Sequence, residues 1–522
     1  MKYFGIIVPM LCLGLVQATL AQEAKPVSDL RSLKQQMLEM QTSIQQMQQL
    51  HQKEIESLKT QIQAQQKTIE ELQKAPPGGL LAMPTKGPDA PPGAAEPSLF
   101  PTTDDSVVMN TPQPTATAPA TTTNAFPTTD AAVTGNGASS PAPLTIAGGG
   151  KSYLNISFDA IFTAAASSSG DLSHLSVGDH DPQQRGFNAR NNEIALDGAI
   201  DPYFEGFANI VFKLDNGNET SVEVEEAFLQ TTTLPWGLQV KGGQFFDPFG
   251  RINPTHPHTW DFVNAPLAMG RLLGPDGLRG VGVQVSWVTP LPWYSQFLVA
   301  VQNGNGGTAQ SFRNLGDDGT FYGRRTIDRQ LNGFGDLLFV PRWENSFDLT
   351  PTQTVLAGIS AAFGPNDTGA SSSTQIYGVD LFYKWKPTNA EGGWPFVKWQ
   401  SEILWRHYEA GRGLDNSFPR SETFKDWGAY SQVIWGFKKG WSAGIRGDYL
   451  HEDDSLITDD PDRQSRYRLS ADVTFYPSEF SKIRLQYDHD FLKATHFQDG
   501  GSEDSIYLQF EFALGAHGAH KY

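Results

Sequence analysis

The chain has 522 residues, 39 basic against 57 acidic side chains, a formal charge of -18 and one cysteine. These numbers exclude a small disulfide-stapled fold and argue against nucleic acid as a partner. The cysteine, Cys12, lies in an amino-terminal stretch where Lys2 precedes the apolar run Phe4 to Leu20, and Thr19-Leu20-Ala21 offers small residues for cleavage. That pattern predicts a secretory signal peptide over 1–21. No later apolar run is long enough for a transmembrane helix.

Apolar residues then recur at Leu30, Leu33, Met37, Met40, Ile44 and Met47, and again at Ile55, Leu58, Ile62, Ile69 and Leu72. This heptad spacing predicts a coiled-coil helix over 28–74, with a four-residue stutter across His51. One helix cannot bury such a seam alone, so the expectation is self-association of the chain, with a homotrimer preferred. Residues 75–146 are rich in proline, alanine and threonine, including Pro76-Pro77-Gly78-Gly79 and Thr121-Thr122-Thr123. Few apolar side chains repay ordering there, which predicts a disordered linker.

From 147 to 522 the period becomes two. Tyr467, Leu469, Ala471, Val473 and Phe475 share one parity, opposite Arg466, Arg468, Ser470, Asp472 and Thr474. Sixteen strands are expected, near 151–162, 187–200, 203–214, 219–231, 238–246, 279–289, 294–303, 337–349, 353–364, 373–386, 396–408, 424–438, 441–452, 465–476, 480–492 and 503–516. Connections at one end are mostly tight, as at Asp201-Pro202 and Lys439-Gly440, whereas 163–186, 247–278, 304–336 and 409–423 at the other are long. Short turns at one end, long loops at the other and strands of ten or more residues predict an all-β, 16-stranded antiparallel transmembrane β-barrel. Lipid tolerates no open sheet edge, so the ring must close. The even count puts both barrel termini at the short-turn, periplasmic end, with the coiled coil and linker in the periplasm and the barrel in a bacterial outer membrane.

A ring of this size encloses a polar interior. The inward parity carries Glu193, Asp197, Glu205, Glu223, Glu225, Arg406, Arg446, Asp448, Arg466, Arg468, Asp472, Lys482, Arg484, Asp488 and Glu511, the candidate pore-lining residues. The connection 247–278 is long enough to fold inward, which makes Arg251, His256, His258, Arg271 and Arg279 candidates at a constriction. Arginines in neighbouring loops favour anions, while the barrel region's 30 basic and 45 acidic residues, a balance of -15, favour cations or neutral solutes. Selectivity stays open. His256 and His258, one residue apart, are candidate metal ligands if other loops bring partners, as is His180 between Asp179 and Asp181; His517 and His520 form a weaker pair. No resident cofactor is expected. His489, between Asp488 and Asp490, is the one residue that suggests a barrel hydrolase, and without a nucleophile turn the chain reads as no enzyme.

Glu225-Glu226-Ala227-Phe228-Leu229-Gln230, and Leu238 through Gly250 with its Gly242-Gly243-Gln244-Phe245-Phe246-Asp247-Pro248-Phe249-Gly250 run, resemble the strand-turn-strand region of the phosphate-selective porin O and P superfamily. The overall plan is similar to the coiled-coil DcaP-type porins. This resemblance implies a trimeric outer-membrane porin, a passive channel for small polar or charged solutes. The arginine and lysine ladders of phosphate channels are not evident. Gly274 to Arg279 and Pro341 to Ser346 also resemble proteins labelled zinc-regulated TonB-dependent outer membrane receptors, which implies zinc or metal-chelate uptake. No plug domain precedes the barrel, and sixteen strands fall short of such a receptor. A third role is a structural tether, with the arm contacting the cell wall.

Overall fold

The computed structural model describes residues 144–149, 152–199, 201–316, 319–412, 421–453, 463–493 and 500–515. The expected signal peptide, coiled coil, most of the linker and the His517 and His520 pair lie outside these residues.

The strands are β1 (Leu144–Gly149), β2 (Ser152–Ser167), β3 (Gly186–Ala199), β4 (Phe204–Leu214), β5 (Thr220–Thr231), β6 (Leu238–Phe246), β7 (Arg279–Val288) and β8 (Tyr294–Gln302). A two-residue ribbon, β9 (Thr320–Phe321) and β10 (Arg324–Arg325), interrupts the next connection. The series resumes with β11 (Leu338–Thr350), β12 (Gln353–Pro365), β13 (Ser373–Trp385), β14 (Phe396–Ala410), β15 (Glu422–Lys438), β16 (Trp441–Glu452), β17 (Arg466–Ser478), β18 (Ser481–Leu492) and β19 (Gly501–Leu514).

Strands β2 to β8 and β11 to β19 pair antiparallel with their chain neighbours, β8 joins β11, and β19 joins β2 from Ser505 opposite Ser167 to Leu514 opposite Phe158. The result is a closed ring of sixteen strands with no free edge. All sixteen coincide with the strands expected from the alternation. β1 lies outside that expectation, since its first three residues belong to the stretch read as linker. It pairs with the start of β2, Leu144 opposite Ile156, and so continues the edge where β19 ends opposite Phe158.

Among the described residues no helix is long and apolar enough to cross a membrane; the strands are the spanning elements. On β17, Tyr467, Leu469 and Val473 point outward at 37, 58 and 43% exposure, while Arg466, Arg468, Ser470, Asp472 and Thr474 are buried on the other face. The same division runs through β18 and β19, where Leu485, Tyr487, Ile506, Leu508, Phe510 and Phe512 are exposed. An apolar belt of this kind is stable only against hydrocarbon.

The interior differs from an open aqueous channel. Residues 247–278, which link β6 to β7, fold inside the ring. Phe249, Ile252, Trp260, Leu267, Ala268, Met269, Leu272 and Leu273 from this inner loop pack against Leu338, Val340, Ala362, Ile376, Leu404, Tyr430 and Leu450 of the wall. Each large apolar side chain so buried contributes about 1.5–3 kcal/mol. A short helix, α1 (Leu267–Leu272), begins just after Pro266 and seats against β14, β15 and β16. The wall makes room for it with glycines. A Cβ on Gly428 would stand 2.9 Å from Ala268 Cβ, and one on Gly378 would stand 2.8 Å from the ring of Phe249.

Candidate functional site in the barrel interior

The inner loop is tied to the wall all around the ring. Glu402 of β14 accepts from the amides of Arg251 (3.1 Å) and Ile252 (2.8 Å). Asp448 of β16 accepts from the amide of Leu267 at 3.0 Å. Arg446 donates to Asn264 through both terminal nitrogens, at 2.9 and 2.6 Å, and to Asp448 at 2.7 Å. Asn264 in turn donates to Asp488 at 2.6 Å, and Arg484 donates to the Trp260 carbonyl at 2.8 Å. Near the short-turn end, Lys398 reaches Asp261 and Lys482 reaches the His258 carbonyl, at 2.6 and 2.5 Å. The loop therefore runs down the interior rather than across its mouth.

The structure buries Glu193, Glu225, Arg406, Arg446, Asp448, Arg466, Arg468, Asp472, Arg484 and Asp488, and leaves Asp197, Glu205, Glu223, Lys482 and Glu511 half-buried. Most are paired with protein rather than spread along a water-facing wall. Arg406 pairs with Asp426 at 2.5 Å and donates to Ser311 and Tyr322. Arg466 and Arg468 share Asp490 and the Leu175 carbonyl of the loop after β2. Lys482 pairs with Glu511 at 2.8 Å, Asp197 accepts from Asn155 at 3.0 Å, and Glu205 accepts from Gln230.

Of the constriction candidates, Arg251 lies over the Phe382 ring at 4.0 Å and Arg271 donates to the Gln464 carbonyl at 3.3 Å. Arg279 is the first residue of β7 rather than part of the loop, and it pairs with Glu223 and Asp276. The arginines expected in neighbouring loops are likewise engaged: Arg190, which belongs to β3, with Asp179, Arg324 with Glu422 and Arg329 with Asp336. His489 sits at the outer surface beside Asp504 at 2.8 Å.

His180, His256 and His258 converge on one cluster with the carboxylates of β3 and β5. A bulge between β4 and β5 falls at Glu225, since Asn209 opposes Glu226 and Ile210 opposes Val224. The extra residue turns two successive side chains, Glu225 and Glu226, to the interior. His180 donates from Nδ1 to the Arg190 carbonyl at 3.1 Å, and its Nε2 faces Asp276 at 2.9 Å and Glu225 at 2.8 Å. Both nitrogens meet only acceptors, so the ring is suited to the charged form. Burial opposes that charge, but Glu225 and Asp276 outweigh it and hold the His180 pKa well above the ordinary histidine value.

Three ligand atoms of Glu193, Glu225 and His256 lie within 4.8 Å of one another, all on buried side chains. His256 Nδ1 stands 2.8 Å from Glu225 Oε2 and 3.7 Å from Glu193 Oε2, and its Nε2 donates to Glu226 at 3.1 Å. His258 does not share this point; its Nδ1 lies 3.1 Å from Glu193 Oε2 and its ring stacks near His256 at 5.9 Å. A second triad, Asp179, His180 and Asp276, has the same spread. Its acids are already met by cations: Lys213 and Arg190 reach Asp179, and Arg279 reaches Asp276. Sequence reasoning found the histidines but missed Asn209 and Glu226 as their partners. It also missed Glu402, Asp426 and Asp490, which alternation alone would have placed inward.

No family model matches the chain. Among solved structures, the outer membrane channel DcaP of Acinetobacter baumannii is similar at 11% identity and a TM-score of 0.48, covering 70% of this chain and 97% of that one. An anion-selective porin of Comamonas acidovorans scores 0.44 at 8% identity, and Salmonella typhi OmpF in complex with daunomycin 0.42 at 11%. They cover 70% of this chain and 100% and 98% of their own. Likenesses this distant say nothing about cargo, and the barrel assignment rests on the strand pairing above. In sequence, an uncharacterized protein of Aquifex aeolicus (strain VF5) is 33% identical over 357 residues, 65% of this chain and 71% of its own length. The chain belongs to the same family as that uncharacterized Aquifex aeolicus protein.

Proposed function

We propose that the chain is an outer-membrane porin, a passive diffusion channel for small polar or charged solutes. The observation that carries this reading is the division of the closed ring into an apolar outer face and an inner face lined with ionisable groups. Charged side chains along a lined passage admit hydrated ions and repel apolar solutes through the cost of desolvation. The inner loop makes the passage narrow, and the half-buried charges Asp197, Glu205, Glu223, Lys482 and Glu511 are the candidate lining residues that keep some exposure to a solute. In this reading the chain works as a homotrimer, held by barrel contacts in the lipid and by the heptads of residues 28–74, with its amino-terminal arm in the periplasm.

The test is conductance of the full chain in planar bilayers, with the fold checked by the mobility of unheated protein on a gel. Stepwise current is the expected result. Folded protein that inserts and passes no current defeats the channel reading.

A further inference from the structure

We propose that Glu193, Glu225 and His256, with Asn209, form a site for a divalent transition-metal cation that clamps the inner loop to the barrel wall. Zinc is the probe of this class, because an imidazole nitrogen beside carboxylate oxygens is a donor set it accepts.

The geometry carries the inference. Asn209 of β4 is fully buried, and its Nδ2 lies 2.8 Å from His256 Nδ1, 3.1 Å from Glu225 Oε2 and 3.2 Å from Glu193 Oε2. An amide nitrogen has two hydrogens and faces three acceptors here. Its Oδ1, on the other side of the group, is buried without a hydrogen-bond partner. With both carboxylates ionised, either orientation of the amide leaves a conflict, even though Glu225 Oε2 stands 2.8 Å from His256 Nδ1. A proton on His256 Nδ1 would confront the Asn209 NH2, while turning the amide over would set Oδ1 against two carboxylate oxygens. A cation at the meeting point removes both conflicts, because the turned amide then offers a fourth donor atom, its oxygen.

The surroundings support the same reading. His256 donates from Nε2 to Glu226, an outer carboxylate of the kind that commonly orients a metal-binding imidazole, and this turns Nδ1 toward Glu225, Glu193 and Asn209. Glu193 is held from behind by Asn191, whose Nδ2 donates to Oε1 at 2.6 Å. No lysine or arginine pairs with Glu193, Glu225 or Glu226 among the ion pairs of the described residues, in contrast to the neighbouring Asp179 and Asp276; His180 meets Glu225 through the other carboxylate oxygen, Oε1. A small recess of about 10 Å³, bordered by His180, Asn191, Pro257 and Gln509, lies beside the residues that contact the cluster. Three donors come from adjacent wall strands and one from the loop, so an ion bound there fixes the loop in place.

The experiment is zinc titration of the full chain in detergent by calorimetry, with metal content measured after dialysis. One zinc per chain is expected. His256→Gln and Glu193→Gln should lose it, and Glu226→Gln should weaken binding about 10- to 100-fold by releasing the imidazole. His489→Gln, at the outer surface, should bind as the unaltered chain does. The mild Glu226 change keeps the test decisive if a ligand variant fails to fold. Zinc should also slow proteolysis of residues 247–278 in the unaltered chain but not in Glu226→Gln at the same subsaturating zinc. Absence of zinc uptake would show that protons alone hold the cluster and would overturn the proposal. Uptake undiminished in both ligand variants would place the ion elsewhere and overturn it equally. Neither result depends on whether the barrel conducts.

Discussion

At the scale of single residues, the interior is organised by buried charges whose partners are far away in the chain. Arg446 and Asp448 are two apart on β16, and both are fixed to the inner loop through Asn264 and Leu267. Removing one member of such a pair leaves the other buried and unmatched, which costs about 3–5 kcal/mol, whereas replacing the whole pair with apolar groups is often close to neutral. Arg446→Met should therefore lower stability by about 3–5 kcal/mol, measured by urea unfolding from lipid vesicles. The double change Arg446→Met with Asp448→Leu should recover part of that loss. A double variant as unstable as the sum of its single changes would mean that the two charges do not act as a pair. The sequence made the inward direction of both residues legible, because they share a parity opposite Ile445 and Tyr449. Their partner was not legible, since Asn264 lies 182 positions from Arg446 and no short-range pattern links a strand to a loop across the ring.

At the scale of elements, strands and loop follow different rules. The strands were readable because each must show lipid on one face, and that demand writes a period of two into the sequence. The loop obeys no period. Its length announced that it can fold inward, but its apolar stretch from Ala265 to Leu273, interrupted only by Pro266, Gly270 and Arg271, was the stronger signal, being too greasy for a loop in water. Packing depends on wall positions without side chains, of which Gly428 is the most direct. A side chain there meets Ala268 and Leu450 at once. Gly428→Val should cost about 1–3 kcal/mol through overpacking and unseat α1 rather than the ring. Limited proteolysis is the check: faster cleavage within 247–278 with unchanged mobility of the unheated barrel is expected. Cleavage no faster than in the unaltered chain would show that α1 does not rely on that seat. The bulge at Glu225 escaped sequence reading for a related reason, because a single extra residue shifts which side chains face inward without changing composition.

At the scale of the whole molecule, ring and loop contribute separately to function. Sixteen paired strands satisfy every edge and need nothing from the interior to close, so the inner loop can be perturbed while the ring survives. The loop fills the side of the interior bounded by β8 and β11 to β16 with an apolar core and reaches Lys398 and Lys482 near the short-turn end. Current must then pass through whatever cross-section the loop leaves, not through the full bore. It follows that Arg446→Met and Gly428→Val, which loosen the loop at Asn264 and at Ala268 of α1, should both raise the single-channel step in planar bilayers above that of the unaltered chain. They should do so without raising the number of insertions per unit of protein. A smaller charge change at the surface, His489→Gln, should leave the step where it was. Equal steps from all four proteins would mean that the loop does not set the conductance, and the narrow point would then have to be sought in the connections at the long-loop end, where Arg324 meets Glu422 and Arg329 meets Asp336.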